Sequence, residues 1–140
     1  MTQVLVVDDS DSLRQMIRTM LEPEGYTVAE ATDGLQGLEA LRGSTQASVV
    51  LLDYYMPNMD GGDVLKAVIA DDAEQAKYEY IVISSSVGTF PENFIDLVRH
   101  LSVRILPKPF SKAVLLTAVE QAAERLHAPP DEPEPIAPEE

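Results

Sequence analysis

Three acids and one lysine each stand at the end of an apolar run. Asp53 follows Val49-Val50-Leu51-Leu52, Asp8 and Asp9 follow Val4-Leu5-Val6-Val7, and Lys108 closes a run through Val103, Ile105 and Leu106. Short apolar runs of this kind read as buried strands. If the strands are parallel, their carboxyl ends bring the four side chains together. Carboxylates gathered at ~5 Å repel pairwise by roughly 3 kcal/mol at an effective dielectric of ~20. A divalent cation relieves that repulsion. Ligand sets made only of oxygen, with no Cys or His, select Mg²⁺, Mn²⁺ or Ca²⁺ over zinc. A carboxylate so placed can also act as a nucleophile and form an aspartyl phosphate. The expected chemistry is phosphoryl transfer, carried by positioning and by neutralisation of charge.

The elements that must position these residues are legible in the periodicity. Strands are expected at 3–7, 26–30, 48–53, 80–84 and 103–107. Between them fall amphipathic helices. The first, 11–22, carries Leu13, Met16, Ile17, Met20 and Leu21 inward, is capped by Ser10 or Asp11, and is ended by Pro23 and Gly25. The second is capped by Thr32, turns Leu35, Leu38 and Leu41 inward, and closes at Gly43. The third, 62–71, aligns Val64, Leu65, Val68 and Ile69. The fourth opens at Pro91 with Phe94, Leu97, Val98 and Leu101 inward. The last is capped by Ser111 and buries Val114, Leu115, Ala118, Val119 and Ala122. Near-continuous apolar strands alternating with helices predict an α/β fold: a doubly wound, five-stranded parallel sheet with helices on both faces. Right-handed crossovers restrict its topology, and sites in such sheets form outside the carboxyl ends of the strands.

A chain of 140 residues suits one domain with a single core. The formal charge of −14 argues against direct contact with nucleic acid, whose phosphates it would repel. No apolar run reaches the ~20 residues of a membrane span, and no signal peptide is expected. The absence of cysteine fits a reducing, cytoplasmic setting. The domain is expected over 1–127, followed by a disordered acidic tail rich in Pro and Glu over 128–140. Several residues read as structural. Tyr54 belongs in the core, Met16 and Met20 in a core stripe, and Arg14 and Arg18 on a solvated helix face. His100 and His127 are helix residues away from the acidic site.

Val-Val-Asp-Asp ending at Asp9, Leu-Asp-x-x-Met-Pro-x-Met-Asp-Gly over 52–61, and Lys-Pro-Phe from Lys108 resemble the receiver domains of two-component response regulators. The resemblance covers about residues 2–127 and is carried chiefly by the long middle motif. It implies a flavodoxin-like strand order, 2-1-3-4-5. It makes Asp53 the phosphoacceptor and Asp8, Asp9, Asp53 and the backbone carbonyl of Tyr55 the protein ligands of Mg²⁺, with Asp8 binding directly or through water. Lys108 would pair with the phosphate, and Pro109 would follow a cis peptide. The family's hydroxyl falls within Ser84-Ser85-Ser86; Ser85 is the expected residue, with Ser84 next. Tyr55 and Val87 would gate the water that removes the phosphate. The implied partners are a sensor histidine kinase or a histidine phosphotransfer protein, and a downstream protein or second receiver. The last would dock on a face containing Ile95, Ile105 and Leu116, rimmed by Arg99, Arg104 and Lys112. Ile105 stands where many receivers carry a switch aromatic. The resemblance implies a signalling domain, and a chemotaxis-like single receiver is one form it takes. The alternatives are the receiver half of a larger regulator and a phosphatase of the haloacid-dehalogenase kind. The latter usually has a second Asp where this chain has Tyr55.

Overall fold

The computed structural model describes residues 2–43, 48–71, 78–85, 90–101 and 103–126. Expectations for Ser86, Val87, His127 and the tail 128–140 lie outside the described residues. The elements are β1 Gln3–Val7, α1 Asp11–Leu21, β2 Thr27–Ala31, α2 Gly34–Gly43, β3 Ser48–Asp53, α3 Gly61–Asp71, β4 Tyr78–Ser84, α4 Glu92–Leu101, β5 Arg104–Pro107 and α5 Lys112–Leu126. The strands form one sheet in the order β2-β1-β3-β4-β5. Every pairing is parallel. This is the expected doubly wound architecture.

Alternation along the strands divides the core in two. Leu5, Val7, Val50, Leu52, Tyr80 and Val82 face one side, where Leu38 and Leu41 of α2, Val64, Leu65 and Val68 of α3 and Phe94 of α4 cover them. Val4, Val6, Val49, Leu51, Ile81 and Ile83 face the other, under Ile17 and Leu21 of α1 and Leu115, Ala118, Val119 and Ala122 of α5. Each such side chain contributes ~1.5–3 kcal/mol when fully buried. Two-sided burial explains why β1 and β3 read as unbroken apolar runs.

Local signals set most helix ends. Ser10 caps α1, its hydroxyl accepting from the Leu13 N–H at 3.2 Å. A 3-10 turn, Glu22–Glu24, and Gly25 end that helix. Ser111 caps α5, accepting from the Val114 N–H at 3.2 Å.

Five helical expectations need correction. Arg14 is buried and Met16 is exposed, because the inward face of α1 runs through positions 14, 17 and 21. Leu35 is exposed because Gly34 and Gly37 join Leu38 and Leu41 on the inward face of α2, and glycine leaves no apolar signal in the sequence. Val114 is exposed at the edge of the stripe that Leu115, Ala118, Val119 and Ala122 form on α5. The cap of α2 is Asp33, whose carboxylate accepts from the Gln36 N–H at 2.8 Å. Thr32 reinforces that cap, its hydroxyl donating to Gln36 Oε1 at 2.7 Å. In the sheet, β4 starts two residues earlier than expected, at Tyr78, whose hydroxyl donates to the Leu41 carbonyl at 2.8 Å.

Candidate functional site

Register brings the strand ends level. Val7 lies opposite Leu52, Asp53 opposite Ile83, and Ser84 opposite Pro107. The ladder runs one residue further, through the Asp8 N–H to the Ala31 carbonyl (3.1 Å), Tyr54 N–H to Ile83 (3.0 Å) and Lys108 N–H to Ser84 (2.9 Å). Backbone bonds therefore anchor Asp8, Asp53 and Lys108 at one rim of the sheet.

Carboxylate oxygens of Asp8, Asp9 and Asp53 lie within 4.8 Å of one another. Asp8 and Asp53 are 1% and 5% exposed, whereas Asp9 is open to solvent. Lys108 Nζ lies 3.4 Å from Asp53 Oδ1 and 3.8 Å from Asp8 Oδ2. The second distance is an ion pair too long for a hydrogen bond. Burial, then the charge of Asp8, pushes the Asp53 carboxyl up to about 6, against the pull of Lys108. Asp8 is also raised, first by burial, and is opposed by its bond from Ser10 and by Lys108. One lysine does not neutralise two buried acids.

The donor set fits a hard divalent cation. Asp8 Oδ1 accepts from the Ser10 N–H at 2.8 Å. Among the described residues, Asp8 Oδ2 is buried without a hydrogen-bond partner, a costly state for a carboxylate oxygen unless something satisfies it. A cation bound between these three acids meets that need.

The loop after β3 is tightly built. Asn58 takes φ 72°, in the left-handed region that Asn tolerates. The Gly61 N–H donates to the Tyr54 carbonyl at 2.8 Å. A Cβ at Gly61 would lie 3.0 Å from both the Asp53 carbonyl oxygen and Tyr54 Cα, two backbone atoms that would have to give way, so glycine eases the close approach behind Asp53. Asp60 and Asp63 cap α3 reciprocally, with Asp60 Oδ1 accepting from the Asp63 N–H at 2.9 Å and Asp63 Oδ2 from the Asp60 N–H at 3.1 Å. The Asp60-Gly61 half of the motif thus builds the turn that presents Asp53. Tyr54 is buried as expected, its ring edge-on to Tyr55, Phe90 and Phe94 at 4.7–4.9 Å. Tyr55 is 49% exposed.

The Lys108–Pro109 peptide is cis, as expected. Ser84 is fully buried at the end of β4, and Ser85 is exposed one residue beyond. Ile95 is 41% exposed on α4, while Ile105 and Leu116 are half-buried against the two cores. Arg104 donates to Gln121, and Lys112 pairs with Glu24 at 3.3 Å. Lys112 thus turns toward the end of α1 rather than toward a rim beside α4. Arg14 was missed as a site neighbour. Its helical spacing showed only an exposed-type residue, and its partners, the Asp8 carbonyl just past β1 and Glu30 of β2, are joined by the fold alone.

The model of the response regulator receiver domain matches residues 4–120. The chain belongs to this family. It is 31% identical over 132 residues to the transcriptional regulatory protein CpxR of Escherichia coli, covering 91% of this chain and 51% of that protein. It is 30% identical to the transcriptional regulatory protein CseB of Streptomyces avermitilis over 127 residues, covering 89% and 50%. The chain spans about half the length of these curated relatives. Among solved structures, the chemotaxis protein CheY4 of Vibrio cholerae superposes with a TM-score of 0.73 at 28% identity, covering 87% of this chain and 98% of that one. The receiver domain of the Francisella response regulator 1452 gives 0.75 at 29%, covering 89% and 98%. As a receiver, the chain has a signalling fold. Its described residues include no helix long and apolar enough to cross a membrane.

Proposed function

We propose that this receiver takes a phosphoryl group on Asp53 from the phosphohistidine of a sensor histidine kinase or a histidine phosphotransfer protein. The observation that carries this reading is the buried pair Asp8 and Asp53, with Lys108 Nζ 3.4 Å from the Asp53 oxygen. Asp53 Oδ attacks phosphorus as the phosphorus–nitrogen bond breaks, and the imidazole nitrogen leaves with the electron pair. Asp8, Asp9, Asp53 and the Tyr55 carbonyl would hold Mg²⁺, which would neutralise charge on the phosphoryl oxygens. Lys108 pairs with the new phosphate. The Ser84–Ser85 pair supplies the hydroxyl, with Ser85 as the expected donor. Phosphorylation shifts a two-state equilibrium and alters docking of a downstream protein, or of a second receiver as a homodimer, on the face that includes Ile95, Ile105 and Leu116. The setting is cytoplasmic, and the chain serves as phosphoacceptor rather than turnover enzyme.

Incubation with acetyl phosphate and Mg²⁺, followed by intact mass and hydroxylamine treatment, tests this reading. One phosphoryl group is expected, absent in Asp53→Ala and strongly reduced when Mg²⁺ is chelated. Equal labelling of Asp53→Ala and the parent would overturn it. Ser84→Ala and Ser85→Ala, compared in the same assay, identify the hydroxyl by which one slows labelling. A second reading, the receiver half of a larger regulator, is favoured by the half-length match to CpxR and CseB. A gene longer than 140 codons would support it.

A further inference from the structure

Arg14 is a buried cation, 6% exposed, at the first turn of α1. Its guanidinium joins three elements. Nη1 donates to the Asp8 carbonyl at 2.6 Å, and Nε donates to Glu30 Oε1 on β2 at 2.8 Å. The remaining nitrogen donates to Asp11 on α1. Glu30 is held in turn by Arg18, at 2.7 Å, and Arg18 also pairs with Glu22. The Asp8 carbonyl belongs to the peptide that joins Asp8 to Asp9. The other polar atoms of Asp8 are committed as well, the N–H to Ala31 and Oδ1 to Ser10, which leaves Oδ2 for the site.

We infer that Arg14 is a positioning residue for the divalent-cation site: by clamping the Asp8–Asp9 peptide to Glu30, it sets the direction of both carboxylates. This rests on the reading of Asp8 and Asp9 as metal ligands. The fork geometry matters, because a planar guanidinium can bond a carbonyl and a carboxylate at once and an ammonium cannot reproduce that arrangement. Groups that orient metal ligands typically affect metal affinity about 10–100-fold when removed. Charge alone predicts the opposite sign. A cation this close repels a bound metal, so its neutralisation would tighten binding by Coulomb's law. Positioning and charge are therefore separable by the direction of the effect.

The experiment measures Mn²⁺ affinity of the unphosphorylated chain, by the electron paramagnetic resonance signal of free Mn²⁺, at a temperature where circular dichroism shows each variant folded. Asp8→Asn is the control for the ligand reading and should lose the site. Arg14→Gln removes the charge, and Arg14→Lys keeps it while losing the fork. About ten-fold weaker Mn²⁺ binding is expected for Arg14→Gln, with a smaller loss in the same direction for Arg14→Lys. Tighter binding in Arg14→Gln with parental affinity in Arg14→Lys would mean a charge effect only and would overturn the inference. Parental affinity in both would leave Arg14 as a stability residue and also overturn it. If Arg14→Gln does not fold, Arg14→Lys alone decides, since positioning predicts a loss and charge predicts none. Parental affinity in Asp8→Asn would instead remove the ligand reading beneath the inference.

Discussion

At the scale of single residues, the buried Asp53 carboxylate is destabilising until it is neutralised. Its folded pKa is about 6, above its ordinary value of 3.8. Between those values the folded state binds the extra proton. The stabilising contribution of the protonated group is complete below about pH 4 and is lost as pH rises through 6. Asp8, raised in the same direction, adds to the trend. Metal-free protein should therefore melt lower at pH 7.5 than at pH 5. Asp53→Asn should recover about 1–2 kcal/mol at pH 7.5 and little at pH 4, read by thermal denaturation at both. Mg²⁺ should raise the parent's melting temperature at pH 7.5 and lose that effect below pH 6, as protons compete for the same oxygens. Indifference of the melt to Mg²⁺ at pH 7.5 would contradict the assignment of the acidic cluster. The resemblance to receivers makes Tyr55, which is half-exposed, one of the residues expected to gate the attacking water. Tyr55→Asn combined with Val87→Glu should shorten the lifetime of the phosphoprotein, measured as decay of the phosphorylated mass.

At the scale of elements, α2 and α4 both pack against the segment that follows β3. A Cβ at Gly34 would lie 2.5 Å from the Met59 carbonyl oxygen, a backbone atom that cannot swing aside. Gly34→Ala should cost ~1–3 kcal/mol and displace the loop between β3 and α3. Slower labelling by acetyl phosphate would report that displacement separately from the loss of stability. Phe94 is buried and its ring meets Tyr54 and Phe90, each with centroids 4.7 Å apart. Phe94→Ala should cost ~3–5 kcal/mol in chemical denaturation, whereas Ile95→Ala, one residue along on the exposed side, should cost under ~0.5 kcal/mol. The helices themselves were legible because capping and apolar spacing are local. Their rotation about their own axes was less so. Gly34, Gly37 and Arg14 occupy inward positions that a hydrophobic pattern does not mark.

At the scale of the molecule, the site and the α4-β5-α5 face are joined by one sheet. Asp53 ends β3, and β4 pairs with β3 on one side and β5 on the other. Lys108 directly follows β5 and reaches Asp53 at 3.4 Å, so the face and the site share a side-chain link as well as the sheet. Ile105 packs in the core shared with Tyr54 and Phe94. Ile95→Asp together with Leu116→Asp should weaken phosphorylation-dependent self-association or capture of a partner while sparing Asp53 labelling. Light scattering with and without beryllofluoride reads the first, and pull-down reads the second. Unchanged behaviour in both would return Ile95 to an ordinary exposed apolar residue.

Sequence alone determined the α/β class, the five strands and the family, and it named the Ser111 cap, because apolar period, that cap and the 52–61 motif are written in neighbouring residues. It also singled out the acids and the lysine, since each ends an apolar run. Tertiary structure decided what depends on residues distant in the chain. It brought the Asp8, Asp9 and Asp53 oxygens within 4.8 Å, buried Ser84 and left Ser85 open, and turned Lys112 toward Glu24. It also took Arg14 out of water and bonded it to the Asp8 carbonyl just past β1 and to Glu30 of β2. Burial and charge pairing are properties of the assembled sheet and its covering helices. No local window of residues contains the distances that set them.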